Sequence, residues 1–304
     1  HGVIDSPDIP LNVSRSFLQS DASVKKISAH ISKKVSDKLE EMFKNDREDF
    51  EKKWEDIKIF IQYGSITDEK FWDRAKSFFL LKNVEGKYFT LDEYKTYIET
   101  LQKDKNETLV YLYAADAEKQ HIYIQSAQER GYDVLLMDSI LDAHFINMLE
   151  QKLEKSKFAR VDADVIDKLI EKEDSLISKL SEEERKNLSE IFENSVEKEK
   201  FTVVVESLND TDLPVMIMQN EFMRRFQDME RLSGQNGMYG RFEHYNLVVN
   251  DNNEVIVNLL KEEDAEKKSQ MTQQLVDLAL LSQNMLTGEK LSQFVRRSLD
   301  FIAK

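Results

Sequence analysis

The stretch 24–79 contains no proline and a single glycine, Gly64, so little in it can interrupt a helix. Apolar residues in it recur at intervals of three and four, the spacing of one face of an amphipathic helix. They are Val24, Ile27, Ile31, Val35, Leu39, Met42 and Phe43, followed by Trp54, Ile57, Phe60 and Ile61. We therefore predict helix up to a break at 63–65 and a second helix over 67–79, capped by Thr67.

The next part of the chain changes from helical spacing to short apolar runs. Two runs of strand length, 108–114 and 134–137, flank a helical pattern over 117–130. A strand, a helix and a strand at this spacing predict a βαβ unit with a parallel strand pair. A helix over 141–153 and a third strand over 158–161 complete a small αβα subdomain.

A second small sheet and two closing helices are predicted after a charged linking stretch. Apolar, β-branched runs at 201–205 and 213–218 are joined by turn residues and predict a hairpin. A third strand is predicted over 245–249, and helices are predicted over 265–285 and 288–303.

The predicted fold class is α+β and helix-rich, in two domains. Residues 1–173 form the first domain, with a helical segment over 22–105 and the small αβα subdomain over 106–170. Residues 174–304 form the second, an α/β domain with a small sheet and closing helices. A chain of 304 residues is long enough to bury a core in each domain.

Composition excludes several partners and chemistries. Acidic residues outnumber basic ones, 58 to 43, and the net charge of −15 would repel the phosphates of nucleic acid. The chain has no cysteine, which excludes disulfides, thiolate catalysis and cysteine-ligated zinc. No apolar run approaches the roughly 20 residues that cross a bilayer. Neither nucleic acid nor a membrane is therefore a predicted partner.

Motifs for a self-contained active site are missing from the sequence. There is no G-x-x-x-x-G-K-[ST] motif, and Gly234, Gly237 and Gly240 do not have the spacing of a dinucleotide-binding fingerprint. The five histidines are scattered and form no zinc motif. We predict no metal, no cofactor and no enzymatic activity for this chain alone.

The first residues are predicted to form a stiff segment that leads into a helix start. Pro7 and Pro10 restrict the backbone around them to extended geometry. Ser14 is a suitable helix cap, and Arg15 and Gln19 then lie four residues apart on one helix face. This arrangement suits contact with an anion, but a surface loop with a solvated arginine has the same pattern.

The segment 2–19, G-V-I-D-S-P-D-I-P-L-N-V-S-R-S-F-L-Q, resembles the catalytic loop of the heat shock protein 90 chaperone family. The similarity continues with V-L-L-M-D at 134–138 and with V-D-L-A-L-L-S-Q and F-V-R-R near the end. Ser16 and Phe17 depart from the residues common in the family. The resemblance implies the distal middle domain, with the catalytic loop at 2–20, and then the C-terminal dimerisation domain of a bacterial, HtpG-like member.

The resemblance also implies roles for individual residues. Arg15 would stabilise the terminal phosphate of ATP, which a separate N-terminal domain binds with Mg²⁺. Gln19 would orient the attacking water, and Asn12 would shape the loop. The full-length parent would then be an ATPase chaperone, whereas this fragment would bind neither ATP nor Mg²⁺.

Two apolar patterns are further candidates. Phe222, Phe226 and Met229 recur at helical spacing, and the resemblance implies contact with unfolded client proteins, with core packing as the alternative. The closing helices carry apolar stripes that pack on their own core, on a partner or on both. The resemblance implies a homodimer through them, to which we assign Leu275, Leu278, Leu291, Phe294, Val295 and Leu299.

The resemblance therefore implies a fragment of an ATP-dependent chaperone in the bacterial cytoplasm. Its predicted partners are a second copy of itself, its own N-terminal ATPase domain and unfolded or partly folded clients. The alternative is a helical structural or adaptor module unrelated to ATP. Hydrolysis restored by fusion to a family N-terminal domain would separate the two.

Overall fold

The computed structural model describes residues 22–172, 176–219 and 244–303, which divide into two compact units. The first unit runs to Lys82 and includes Gly86–Tyr97, and the second contains Asn83–Glu85 and the chain from Ile98 on. Within the described ranges, no helix is both long and apolar enough to span a bilayer.

The first unit is built of helices and a short hairpin. Its elements are α1 (Ala22–Asn45), α2 (Arg47–Thr67), α3 (Glu69–Ala75), β1 (Leu80–Lys82), β2 (Tyr88–Thr90) and most of α4 (Leu91–Ile98). The two strands pair antiparallel. Aromatic rings form the core, where Trp54 packs edge-on to Phe79 with ring centroids 5.1 Å apart and Phe50 contacts Phe78.

Helix boundaries in this unit differ from the prediction because capping side chains decide them. α1 ends at Asn45, directly before Asp46. The side chain of Asp46 accepts a hydrogen bond of 2.9 Å from the Asp49 N–H and caps α2. Asp68, not Thr67, caps α3, since α2 continues through 63–65 to Thr67. The predicted break at 63–65 is therefore wrong.

Gly64 allows close packing rather than breaking the helix. A Cβ at this position would lie 2.9 Å from the ring of Phe71 on α3, so the absence of a side chain lets α2 and α3 approach. The apolar face predicted from spacing is also only partly buried. Phe60 is 69% exposed on α2, and Ile31 and Val35 are exposed on α1.

The predicted βαβ unit is confirmed in the second unit. Its elements are β3 (Leu109–Ala114), α5 (His121–Glu129), β4 (Leu135–Leu136), α6 (Asp142–Lys152), β5 (Ser156–Arg160) and α7 (Ile166–Leu169). The strand order is β4-β3-β5, and both pairs are parallel. Every residue of β3 is buried, as expected for the central strand of a parallel sheet.

The second sheet differs from the predicted hairpin. Its strands are β6 (Phe201–Glu206), β7 (Val215–Met218) and β8 (Tyr245–Asn250), in the order β6-β8-β7. β8 lies between the other two, parallel to β6 and antiparallel to β7. The hairpin prediction is wrong because β8, buried from Leu247 to Asn250, takes the central position.

Four further helices in the described ranges complete the second unit. They are α8 (Glu182–Glu193), α9 (Glu254–Lys261), α10 (Ala265–Ser282) and α11 (Gly288–Ile302). The last two confirm the predicted closing helices, whereas α9, capped by Asn253, was not predicted. The helix-rich α+β class is confirmed. The predicted domain boundary at 173/174 lies outside the described residues and stays a prediction.

Candidate functional site

The structure describes one of the three predicted sites, the pair of closing helices α10 and α11. The predicted catalytic residues Arg15, Gln19 and Asn12 and the predicted client-binding residues Phe222, Phe226 and Met229 lie outside the described residues. Those assignments remain predictions. The six residues predicted for dimerisation lie on the described helices.

A row of polar contacts holds α10 and α11 together. Arg297 on α11 forms an ion pair with Asp277 on α10 and donates from Nε to Oε1 of Gln274 at 2.8 Å. The Gln274 amide in turn donates to the Ser298 hydroxyl at 2.8 Å. Asp277 is 3% exposed and also accepts a hydrogen bond of 2.9 Å from Gln273. The two helices are therefore joined by a buried ion pair whose polar atoms have further hydrogen-bond partners.

Loss of this ion pair should destabilise the fold. Arg297→Met leaves the buried Asp277 carboxylate without its guanidinium and is expected to lower the free energy of unfolding by about 3 kcal/mol. Arg296→Met, at the exposed neighbouring position, is expected to change it by less than about 0.5 kcal/mol. Urea denaturation followed by circular dichroism measures both. Equal effects in the two variants would contradict the role of the pair, and adding Asp277→Leu to Arg297→Met should recover part of the loss.

The two helices carry both buried and exposed apolar residues, and Met271, Leu280 and Leu291 are half-buried. Leu275, Val276, Ala279 and Phe294 are at most 9% exposed. Leu278, Leu281, Val295, Leu299 and Ile302 are exposed by 46%, 39%, 48%, 60% and 82%, and we call them the outer stripe. Phe301, beside Ile302, is 37% exposed and does not continue the spacing of three and four. The two members on α10 are three residues apart, and those on α11 follow at intervals of four and three, so each helix presents one apolar line to its surroundings.

The outer stripe contains half of the residues predicted for dimerisation, Leu278, Val295 and Leu299. Leu275 and Phe294 are buried within the fold of the chain itself, and Leu291 is half-buried. Leu281 and Ile302 were not among the residues assigned from the sequence. The signal that finds them is their position three residues after Leu278 and Leu299.

Comparison with known proteins establishes the family. The family described as Hsp90 protein matches residues 1–299 of this chain. The chain belongs to the Hsp90 family. Its relatives include bacterial chaperones named HtpG, one from Bacteroides fragilis (strain YCH46) that is 42% identical over 99% of this chain and 54% of the relative. One from Porphyromonas gingivalis is 43% identical over 98% of this chain and 54% of the relative. One from Clostridium perfringens is 30% identical over 93% of this chain and 45% of the relative.

The resemblance to a bacterial, HtpG-like Hsp90 is therefore confirmed. This Hsp90 chain spans about half the length of the curated relatives that it matches. The matched range includes the segment with Arg15 and Gln19, all of α10, and α11 as far as Leu299. The residues assigned to all three predicted sites thus lie in sequence that the Hsp90 family shares.

Proposed function

We propose that this chain is the distal middle and C-terminal part of an ATP-dependent Hsp90 chaperone that works as a homodimer. The family match over residues 1–299 carries this proposal, and the exposed outer stripe supports the dimer. In the proposal, the N-terminal domain of the same protein holds ATP and Mg²⁺. Unfolded or partly folded proteins are the clients, and the bacterial cytoplasm is the location.

The outer stripe supports the homodimer on energetic grounds. A second copy offers the same stripe, and two helices from each copy can pack around a twofold axis as a four-helix arrangement. Complete burial of an apolar side chain of this size contributes about 1.5–3 kcal/mol. The five residues of the outer stripe in each of two copies make ten such side chains. At half that value each, their burial offsets an association cost of about 4–15 kcal/mol.

The chemistry of arginine supports the proposed part of this chain in ATP hydrolysis. A guanidinium group is planar, always charged and able to donate to two phosphate oxygens. A preorganised donor of this kind stabilises the charge that develops on the transferred phosphoryl group. We assign charge stabilisation to Arg15, orientation of the water to Gln19 and shaping of the loop to Asn12. The isolated chain is then expected to hydrolyse no ATP.

Phe222, Phe226 and Met229 are proposed to contact clients. Changing all three to Ser is expected to leave the melting temperature nearly unchanged and to weaken suppression of the aggregation of an unfolded protein. If they packed in the core instead, each change would cost about 2–5 kcal/mol and lower the melting temperature by many degrees. Scanning fluorimetry and light scattering measure the two effects, with Gln227→Ser as the control. A strongly destabilised triple variant means that the client assignment is wrong.

A helical adaptor module unrelated to ATP is the alternative function. It would use the same outer stripe to form a dimer, so the oligomeric state does not separate the two functions. Protection of an unfolded protein from aggregation does, because an adaptor without a client surface gives none. We expect the wild-type chain to protect at equimolar concentration.

A further inference from the structure

Within the second unit, polar contacts at the two ends of α5 join the βαβ part to β7 and to the segment before it. Near the start of the helix, the buried Tyr123 hydroxyl donates to the Ile217 carbonyl on β7 at 2.9 Å. Directly after its end, Arg130 pairs with Asp167 at 2.8 Å and with Asp212 at 2.7 Å. Both ends of α5 are therefore tied to neighbouring elements.

A pocket of about 230 Å³ lies along α5 between these two contacts. Its apolar wall comes from both sides, with Val161, Val165 and Ile166 from the βαβ part. Met216 and Met218 come from β7, and Leu208 comes from the connection between β6 and β7. The pocket is open to solvent on one side, so its apolar wall faces water. A ligand that covers this wall is stabilised by the apolar surface that it removes from water.

The volume limits the occupant to a small molecule. An engineered apolar cavity of about 150 Å³ takes up benzene, and drug-sized ligands occupy about 300–1,000 Å³. The pocket lies between these sizes, which fits one ring or two fused rings with a short substituent. Met216 and Met218 favour a flat ring, because methionine adapts its shape and its sulfur packs well against aromatic groups.

Carboxylates at the rim favour a positively charged substituent. Glu129 and Asp212 line the pocket beside the polar side chains of Gln125, Ser126 and Thr211. The guanidinium of Arg130 is shared by the carboxylates of Asp167 and Asp212. Together with the carboxylate of Glu129, these groups carry three negative charges and one positive charge. Glu129 is exposed and accepts a hydrogen bond of 3.1 Å from Gln125. Its carboxylate can therefore pair with an incoming cation.

We propose that this pocket is a binding site for a small aromatic amine. The ring packs against Met216 and Met218, and the ammonium group pairs with Glu129. This site belongs to the described fold alone and does not depend on the proposed ATP cycle.

Ligands that share the indole ring system but differ in charge test the proposal. With the methionine methyl groups labelled for NMR, tryptamine should shift the signals of Met216 and Met218 with a dissociation constant below about 1 mM. Met148 and Met271, which do not line the pocket, should stay unchanged. Neutral indole should bind less tightly than tryptamine, and the anion indole-3-propionate at least about fivefold less tightly.

Two variants of α5 provide a matched pair. Gln125→Phe places a ring at the mouth of the pocket and should weaken tryptamine binding at least about tenfold. Gln128→Phe, at another exposed position of α5 that does not line the pocket, should leave binding within about twofold of wild type. Glu129→Gln should weaken tryptamine binding about threefold and leave indole binding unchanged.

Several results would overturn the proposal. One is the absence of shifts at Met216 and Met218 up to about 10 mM tryptamine, a concentration far above the expected dissociation constant. Another is an equal shift at Met148 and Met271, which means unspecific binding. Equal binding to Gln125→Phe and Gln128→Phe is a third. If Gln125→Phe does not fold, Thr211→Phe closes the pocket from the other rim and is judged by the same criterion.

Discussion

In the full-length protein, Arg15→Ala is expected to slow ATP hydrolysis by at least about a hundredfold. Removal of one preorganised donor that stabilises transition-state charge typically costs about 3 kcal/mol, which corresponds to that factor. Affinity for ATP should change little, because the proposed nucleotide pocket belongs to the N-terminal domain. Steady-state turnover and equilibrium binding of ATP measure the two quantities separately.

Matched variants show whether the effect belongs to Arg15. Arg296→Ala removes an exposed arginine on α11 and should leave turnover unchanged. Gln19→Ala should slow hydrolysis less than Arg15→Ala, since orienting a water contributes less than neutralising phosphate charge. Wild-type turnover in the Arg15→Ala protein would remove the catalytic assignment.

Charges placed in the outer stripe should convert a dimer into folded monomers. The double variant Val295→Asp, Leu299→Asp changes two side chains that are 48% and 60% exposed in the single chain, so its fold should persist. In a dimer the same change buries unpaired carboxylates in both copies. We expect at least a thousandfold weaker association, or about 4 kcal/mol. Light scattering at micromolar concentration measures the mass, and circular dichroism confirms the fold.

Two controls belong to the dimer experiment. Ser292→Asp adds a charge at an exposed position of α11 outside the outer stripe and should leave the dimer intact. Leu275→Asp should unfold the chain, because Leu275 is only 7% exposed within its own fold. A double variant that stays dimeric, or a wild-type chain that is monomeric, would contradict the proposed interface.

Local periodicity was enough to predict the elements whose partners are near in sequence. The runs at 108–114 and 134–137 flank a helix, and a crossover of this length leaves parallel pairing as the natural solution. The closing helices were predictable for the same reason, since each stripe repeats over several turns. The structure confirms both.

Pairings between distant segments were not predictable from local patterns. β6 and β7 are close in sequence, yet β8, far along the chain, separates them in the sheet. A glycine within a helical pattern suggests a helix break, but Gly64 instead makes room for the ring of Phe71. In both cases the structure depends on a residue or strand that is not part of the local sequence pattern. The spacing of apolar residues therefore does not predict the contact.

Local patterns were also insufficient at the candidate site. Spacing places Leu275, Leu278 and Leu299 on apolar faces of their helices, but it does not show which of them are buried within the chain itself. The structure separates them, because α10 turns Leu275 inward and leaves Leu278 exposed. The contacts of Arg130 with Asp167 and Asp212 join side chains far apart in sequence, and no motif marks them.

ATP turnover by a chimaera tests the central claim most directly. The chimaera joins the part of the Bacteroides fragilis relative that this chain does not cover to residues 1–304 of this chain. We expect it to hydrolyse ATP, neither part to do so alone, and Arg15→Ala to remove the activity. A folded chimaera that binds ATP without hydrolysing it, or one that is unaffected by Arg15→Ala, would contradict the account.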